Sequence, residues 1–137
     1  MTDLSDICTA IMAAVAGVTG ITQASWPPPE QLPSGGVYGL IRPTSGTDSE
    51  VTSGRKQEET LLTLSIVTPR ANLRTDLARV IDLRSPVSTA ILNAGTLSGA
   101  ILQTTEIPWT FGTLDWGGQD CIGWHLQLDL LAVGALT

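Results

Sequence analysis

Two runs with the period-two alternation of β-strands, "GGVYGLIRP" and "EETLLTLSIVTP", are joined by the polar segment Thr44–Thr60, "TSGTDSEVTSGRKQEET". In the second run Leu62, Leu64 and Ile66 alternate with Thr63 and Ser65, while Leu61 and Val67 add apolar character to the other face. Strands so patterned must find a sheet. Their bridge exceeds the ~12–15 residues beyond which a structureless loop in a small domain usually serves binding or is disordered. The pattern therefore predicts adjacent strands, the first closed by Pro43, with 44–60 as an extended polar loop or arm.

The flanking segments supply the partners of that sheet. In "DLSDICTAIMAAVA", Leu4, Ile7, Cys8, Ile11, Val15 and Val18 recur at spacings of three and four, one apolar stripe of an amphipathic helix. Asp3 and Asp6 place negative charge at its start, and Gly17 and Gly20 offer its end. "SWPPPEQLPSGG" is too rich in proline for a helix or central strand and predicts a stiff extended connector. "ANLRTDLARVIDLR" predicts a second helical region. Leu73, Leu77, Val80 and Ile81 form its core stripe, and Arg70, Arg74, Asp76, Arg79 and Asp82 face water or a partner. Ser85-Pro86 reads as an N-cap and restart that continues the buried side through Val87, Ala90 and Ile91, until "NAGTLSGA" breaks it.

The last third, "TEIPWTFGTLDWGGQDCIGWHLQLDLLAV", predicts a hairpin turning at Gly117-Gly118. That turn sets Trp116 opposite Gln119, Thr113 opposite Ile122, Phe111 opposite Trp124 and Trp109 opposite Leu126. The aromatic residues then share one face, which makes Trp109 and Trp124 core residues. Pro108 suggests a bulge or a sheet edge. The elements add up to a single α+β domain over residues 1–137. The expected fold is an antiparallel four-stranded sheet with two main helices on one face, in the order helix-strand-strand-helix-strand-strand.

Composition narrows the function classes. Charged residues make up 15% of the 137 residues, against ~25% in ordinary soluble proteins, and apolar residues make up 42%. The longest apolar stretch, Ile11–Val18, is far shorter than the ~20 residues a membrane helix needs. The first positive side chain is Arg42, so no basic start marks a signal peptide. Such a surface expects cover from copies of itself. The net charge of −6 and the single lysine, Lys56, exclude gripping a nucleic-acid backbone.

No catalytic, cofactor or metal site emerges from the residues. Cys121, His125 and Asp129 share a face of the last strand, yet four residues span ~13 Å, far beyond the reach of a nucleophile for its base. One histidine and two distant cysteines give no metal spacing; Cys8 and Cys121 read as buried free thiols, with a disulfide as the alternative. Trp26 and Trp116 are candidate interface anchors, joined by Arg70 and Arg74. The sharpest candidate is the 44–60 arm. Its charges come in blocks (Asp48 and Glu50, Arg55 and Lys56, Glu58 and Glu59), a layout suited to matching opposite charges on a neighbour.

In element order the whole chain resembles the tail terminator (tail completion) proteins of long-tailed bacteriophages. The layout is a first helix, the connector "WPPPEQLP", a hairpin with a long polar loop, a helix after "IVTPRANL", and a closing hairpin ending in "WHLQLDLLAV". The resemblance implies a structural virion protein without enzymatic activity. It implies a hexameric ring that caps the tail tube at the head-proximal end, stops its polymerisation and joins the head-side connector. Its partners would be itself, the tail tube protein and the connector, with DNA passing through the hole without specific binding. Alternatives are another neck or tail component of the same fold, or a small-ligand-binding or enzymatic α+β domain.

Overall fold

The computed structural model describes residues 4–52, 54–94, 97, 100–102 and 106–135. The elements are α1 (Leu4–Ala16), β1 (Gln23–Ala24), β2 (Tyr38–Thr52), β3 (Arg55–Pro69), α2 (Leu73–Val80), α3 (Arg84–Asn93), β4 (Ile101–Leu102), β5 (Trp109–Trp116) and β6 (Gln119–Ala135). Sheet dominates. The six strands form one curled, mixed sheet in the order β1-β2-β3-β6-β4, with β5 also paired to β6. The expected four-stranded antiparallel sheet is therefore wrong in strand number and in type. The two-residue strand β1 runs parallel to β2, and β4 pairs antiparallel with Leu130 and Leu131 of β6. Strands of two residues carry no readable alternation, so periodicity could not find them.

The larger correction concerns the arm. Residues 44–60 are not a loop: β2 continues through Pro43 and pairs with β3 up to Thr52 opposite Arg55. Pro43 is tolerated because β2 has a partner on one side only at that point, where proline's missing N–H costs the ladder nothing. Thr44 is an extra residue at a register shift, and its hydroxyl donates to the Leu61 carbonyl at 3.0 Å. β6 runs along the far side of β3, from Cys121 opposite Pro69 to Ala135 opposite Arg55. The polar segment is thus an edge strand and part of the central strand of a three-stranded finger.

The helices lie on one face of the sheet, over Leu62, Leu64 and Ile66 of β3 and Trp124, Leu126, Leu128 and Leu130 of β6. α1 contributes Ile7, Cys8, Ile11, Met12 and Val15, as its stripe requires. Asp3 lies outside the described residues. α2 departs from expectation: Leu73 and Ile81 are about half exposed, and Val80 is the stripe residue that reaches the core. Asp76, read as solvent-facing, is 1% exposed. Its carboxylate accepts from the N–H groups of Ala71 and Asn72 and from Arg79, closing the helix start from within. Asn72 caps the first turn by accepting from Thr75 N–H. α3 begins before Ser85, with Leu83 at the cap position, so Ser85-Pro86 sits inside the first turn.

The opposite, outer face is covered at one end by the proline-rich connector. Leu32, Tyr38, Leu40, Val67 and Cys121 form a second buried cluster, with Leu114 and Trp116 packed against it. The connector is clamped there by exchanged hydrogen bonds: Leu32 N–H donates to the Gln119 side chain (2.7 Å), which donates back to the Leu32 carbonyl (2.8 Å). Cys8 belongs to the helix-side core and Cys121 to this outer cluster, on opposite faces of the sheet. Both are free and buried, and burial raises both thiols above their ordinary pKa.

Candidate functional site

The closing hairpin has the register set by its turn: Trp116 pairs with Gln119, Thr113 with Ile122, Phe111 with Trp124 and Trp109 with Leu126. Gly117 and Gly118 carry φ of 57° and 83°, the two left-handed positions a two-residue turn demands. Burial of the aromatics, however, is uneven. Trp124 is 8% exposed, whereas Trp109 is 48% and Phe111 37% exposed, because β5 is an edge strand with β6 as its partner. The edge of Trp109 meets Trp124 at 5.2 Å between ring centroids, and Phe111 meets it at 4.7 Å. The Arg84 guanidinium lies 4.2 Å over the Trp109 ring. Trp109 is therefore not core. With Phe111 on the same face and packed on the same Trp124 ring, it gives the helix side of the sheet an apolar patch carrying one cation.

The predicted interface anchors have internal duties. Trp26 donates from its indole N–H to the Ser5 hydroxyl (2.9 Å), tying the connector to α1. Trp116 donates to the Pro29 carbonyl (2.8 Å), tying it to β5. Arg70 pairs with Asp120 at 3.1 Å beside the turn of the closing hairpin, and Arg74 is exposed on α2.

The finger gathers the predicted charged residues. Residues 43–51 of β2 are exposed throughout. Asp48, Glu50, Lys56 and Glu58 share the face that continues the helix side, since Asp48 pairs with Glu58 and Glu50 with Lys56 in the ladder. Lys56 Nζ lies 3.2 Å from Glu58 and 3.9 Å from Asp48. Glu59 is on the opposite face with Thr47, and Arg55 is exposed at the turn. Where the finger leaves the body, a groove of about 580 Å³ opens between the start of α1 and the finger, lined by Leu4, Pro43, Thr47, Asp48, Glu58 and Thr60.

The outer face beyond the connector is polar. Arg42, Thr63 and Gln127 form one cross-strand row, and Ser65 and His125 belong to the next. Ser65 Oγ lies 2.8 Å from His125 Nδ1, and His125 Nε2 lies 3.4 Å from the Gly112 carbonyl. Sequence spacing along one strand could not show this pair, because Ser65 arrives from β3. Ser65 is fully enclosed, so its hydroxyl is a hydrogen-bond partner shut off from any substrate. Cys121 lies in the covered cluster and Asp129 one row beyond Gln127, so the three polar residues of β6 do not converge. Among the described residues no three His, Cys, Asp or Glu side chains are grouped to hold a metal.

Burial, foremost, and the nearby Arg42 charge lower the His125 pKa, against the raising effect of its backbone hydrogen bonds. The folded state therefore resists a proton that the unfolded chain accepts near pH ~6.5. Stability from this site is complete above that pH and is lost as pH falls toward the lowered folded value. His125→Gln is expected to flatten the stability curve between pH ~7.5 and ~5.5; denaturation midpoints measured across that range check it, and an unchanged slope refutes it.

No protein-family model and no curated protein matches the chain.

Proposed function

We propose that the protein is a structural subunit of a bacteriophage tail: a terminator that assembles into a ring on the tail tube, ends its polymerisation and offers the joining surface to the head-side connector. The observation that carries this reading is the finger. It is a hydrogen-bonded continuation of the sheet whose β2 side is exposed from residue 43 to 51, bearing both signs of charge. A finger already ordered in the single subunit can engage a neighbour with a smaller entropic cost than a loop that must fold on contact.

The rest of the surface supports the same reading. The apolar patch of Trp109 and Phe111 offers lateral area that an assembly would bury. Repeated contacts between unlike surfaces close into rings when the rotation per subunit allows. A net charge of −6 per subunit would let DNA pass through such a ring without adhering.

Light scattering coupled to size exclusion, with negative-stain imaging, tests the proposal. The intact chain is expected to form rings or to cap purified tail tubes. A variant in which 47–59 is replaced by a two-residue turn is expected to stay folded by circular dichroism and lose both properties. A chain that remains monomeric and leaves tubes uncapped defeats the reading. Ring formation without tube capping assigns the subunit to another neck position instead.

A further inference from the structure

Seven side chains carry the positive charge of this chain. Lys56, Arg70 and Arg79 have acidic partners within the molecule, and Arg84 lies over the Trp109 ring. Arg55 and Arg74 are exposed to water. Arg42 fits none of these classes. It is half-buried in the outer face of the sheet, and its Nε is enclosed with no hydrogen-bond partner among the described residues. A guanidinium N–H cut off from water and from any acceptor is an uncommon and costly arrangement in a native protein.

Its neighbours leave it unneutralised. Thr63 lies directly opposite on β3, and the Thr63 hydroxyl is 3.4 Å from the Gln127 side-chain oxygen. His125 in the next row feels the Arg42 charge, and burial favours its neutral form. The acidic residues of that face, Glu59 and Asp129, belong to the rows of Leu131 and Leu61, further toward the finger. The place is a cationic spot on an otherwise acidic protein.

The finger holds the complementary vacancy. Glu50 is exposed near the tip and stands opposite Lys56 in the ladder, yet Lys56 reaches Asp48 and Glu58 instead. Glu50 has no hydrogen bond or ion pair among the described residues. It cannot meet Arg42 of its own chain. The two sit eight residues apart on β2, ~26 Å at ~3.3 Å per residue, and the extra residue at Thr44 leaves them on opposite faces.

We infer that the outer sheet face centred on Arg42 is a carboxylate-binding site whose occupant is Glu50 from the finger of a second copy of this chain. The terminal guanidinium nitrogens, which unlike Nε are not enclosed, gain an acceptor, and the carboxylate gains a pair of donors. Because the two groups face opposite sides of one strand, the contact lays the finger of one copy over the outer face of the next, head to tail. This rests on the assembly reading above and names the pair that sets its register.

Charge reversal and exchange test it, read by light scattering and sedimentation at low and moderate salt. Glu50→Arg alters an exposed position and should fold normally while weakening association on the order of 100-fold. Arg42→Gln should do the same, with circular dichroism reporting on its fold. The exchange variant Arg42→Glu/Glu50→Arg should recover association, which a damaged fold would not. A Glu50→Arg protein that assembles like the intact chain overturns the pairing and leaves the ring reading standing. So does an exchange variant that folds but fails to recover. An intact chain that never associates defeats both.

Discussion

Gly123→Ala is expected to leave the chain unable to close its sheet, with a loss of about 4 kcal/mol or more. Gly123 is near the start of β6, flanked on both sides by Val67 of β3 and Gly112 of β5. A methyl group there would collide with the Ile66 carbonyl oxygen and lie 2.8 Å from Val67 Cα and 2.9 Å from the Ile66 carbonyl carbon. All three are backbone atoms of the adjoining strand. Overpacking typically costs ~1–3 kcal/mol when side chains can give way; here two central strands would have to separate. Gly112→Ala is the control. It is the next residue across the same row, and its added methyl meets nothing within 4 Å. Thermal melts should place Gly112→Ala within about 1 kcal/mol of the parent and show Gly123→Ala largely unfolded or insoluble. Equal melting of the two would mean that β3 and β6 are not in close apposition at this point.

That contrast shows where the sequence was legible. The closing hairpin followed from two local signals, a Gly-Gly turn and an aromatic alternation, and they fix every pair from Trp116–Gln119 to Trp109–Leu126. The first helix was equally open to inspection, since the burial of Ile7, Cys8, Ile11 and Val15 follows a 3.6-residue period. Burial depth was another matter. Trp109 and Trp124 have the same residue type and the same face, and they differ because one strand is an edge and the other is flanked on both sides. Pattern gives the face of a residue, whereas strand order gives its cover, and order is a non-local property.

The finger was misread for a related reason. Its residues are polar and glycine-bearing, which is what solvated loops look like, and Pro43 reads as a stop. Yet a ladder of backbone hydrogen bonds needs no apolar side chains when a third strand stands beside it, and β6 runs the length of the finger. The bulge at Thr44 and the open edge at Pro43 let β2 continue past both obstacles. Asp76 fails as a solvent-facing residue on the same principle. An acid at the start of a helix can serve the free N–H groups of the preceding turn, and here those of Ala71 and Asn72 draw it inward. The Arg42 site was invisible in the sequence because Thr63, Ser65, His125 and Gln127 reach it from two other strands.

Trp124→Ala is the second large effect, expected at about 3–5 kcal/mol, the usual range for deleting a buried tryptophan. More than area is lost. The indole N–H donates to the Val80 carbonyl at 2.9 Å, where α2 ends and the chain turns into α3. Removing the ring takes one of two donors from that carbonyl, which keeps the Leu83 N–H at 3.1 Å, and takes away the contact surface of Trp109 and Phe111. In a domain of ordinary stability, ~5–15 kcal/mol, the melting temperature should fall by roughly 10–20 °C. Two milder variants separate the contributions. Trp124→Phe keeps much of the buried area and loses the donor, at about 1–2 kcal/mol. Trp109→Ala removes a half-exposed ring, its edge contact and the stacking of Arg84, also about 1–2 kcal/mol. Calorimetry should therefore rank Trp124→Ala well below the other two. If Trp109→Ala proved as damaging as Trp124→Ala, Trp109 would be sealed in the core in solution, and the apolar patch proposed for lateral assembly would not exist on the single subunit.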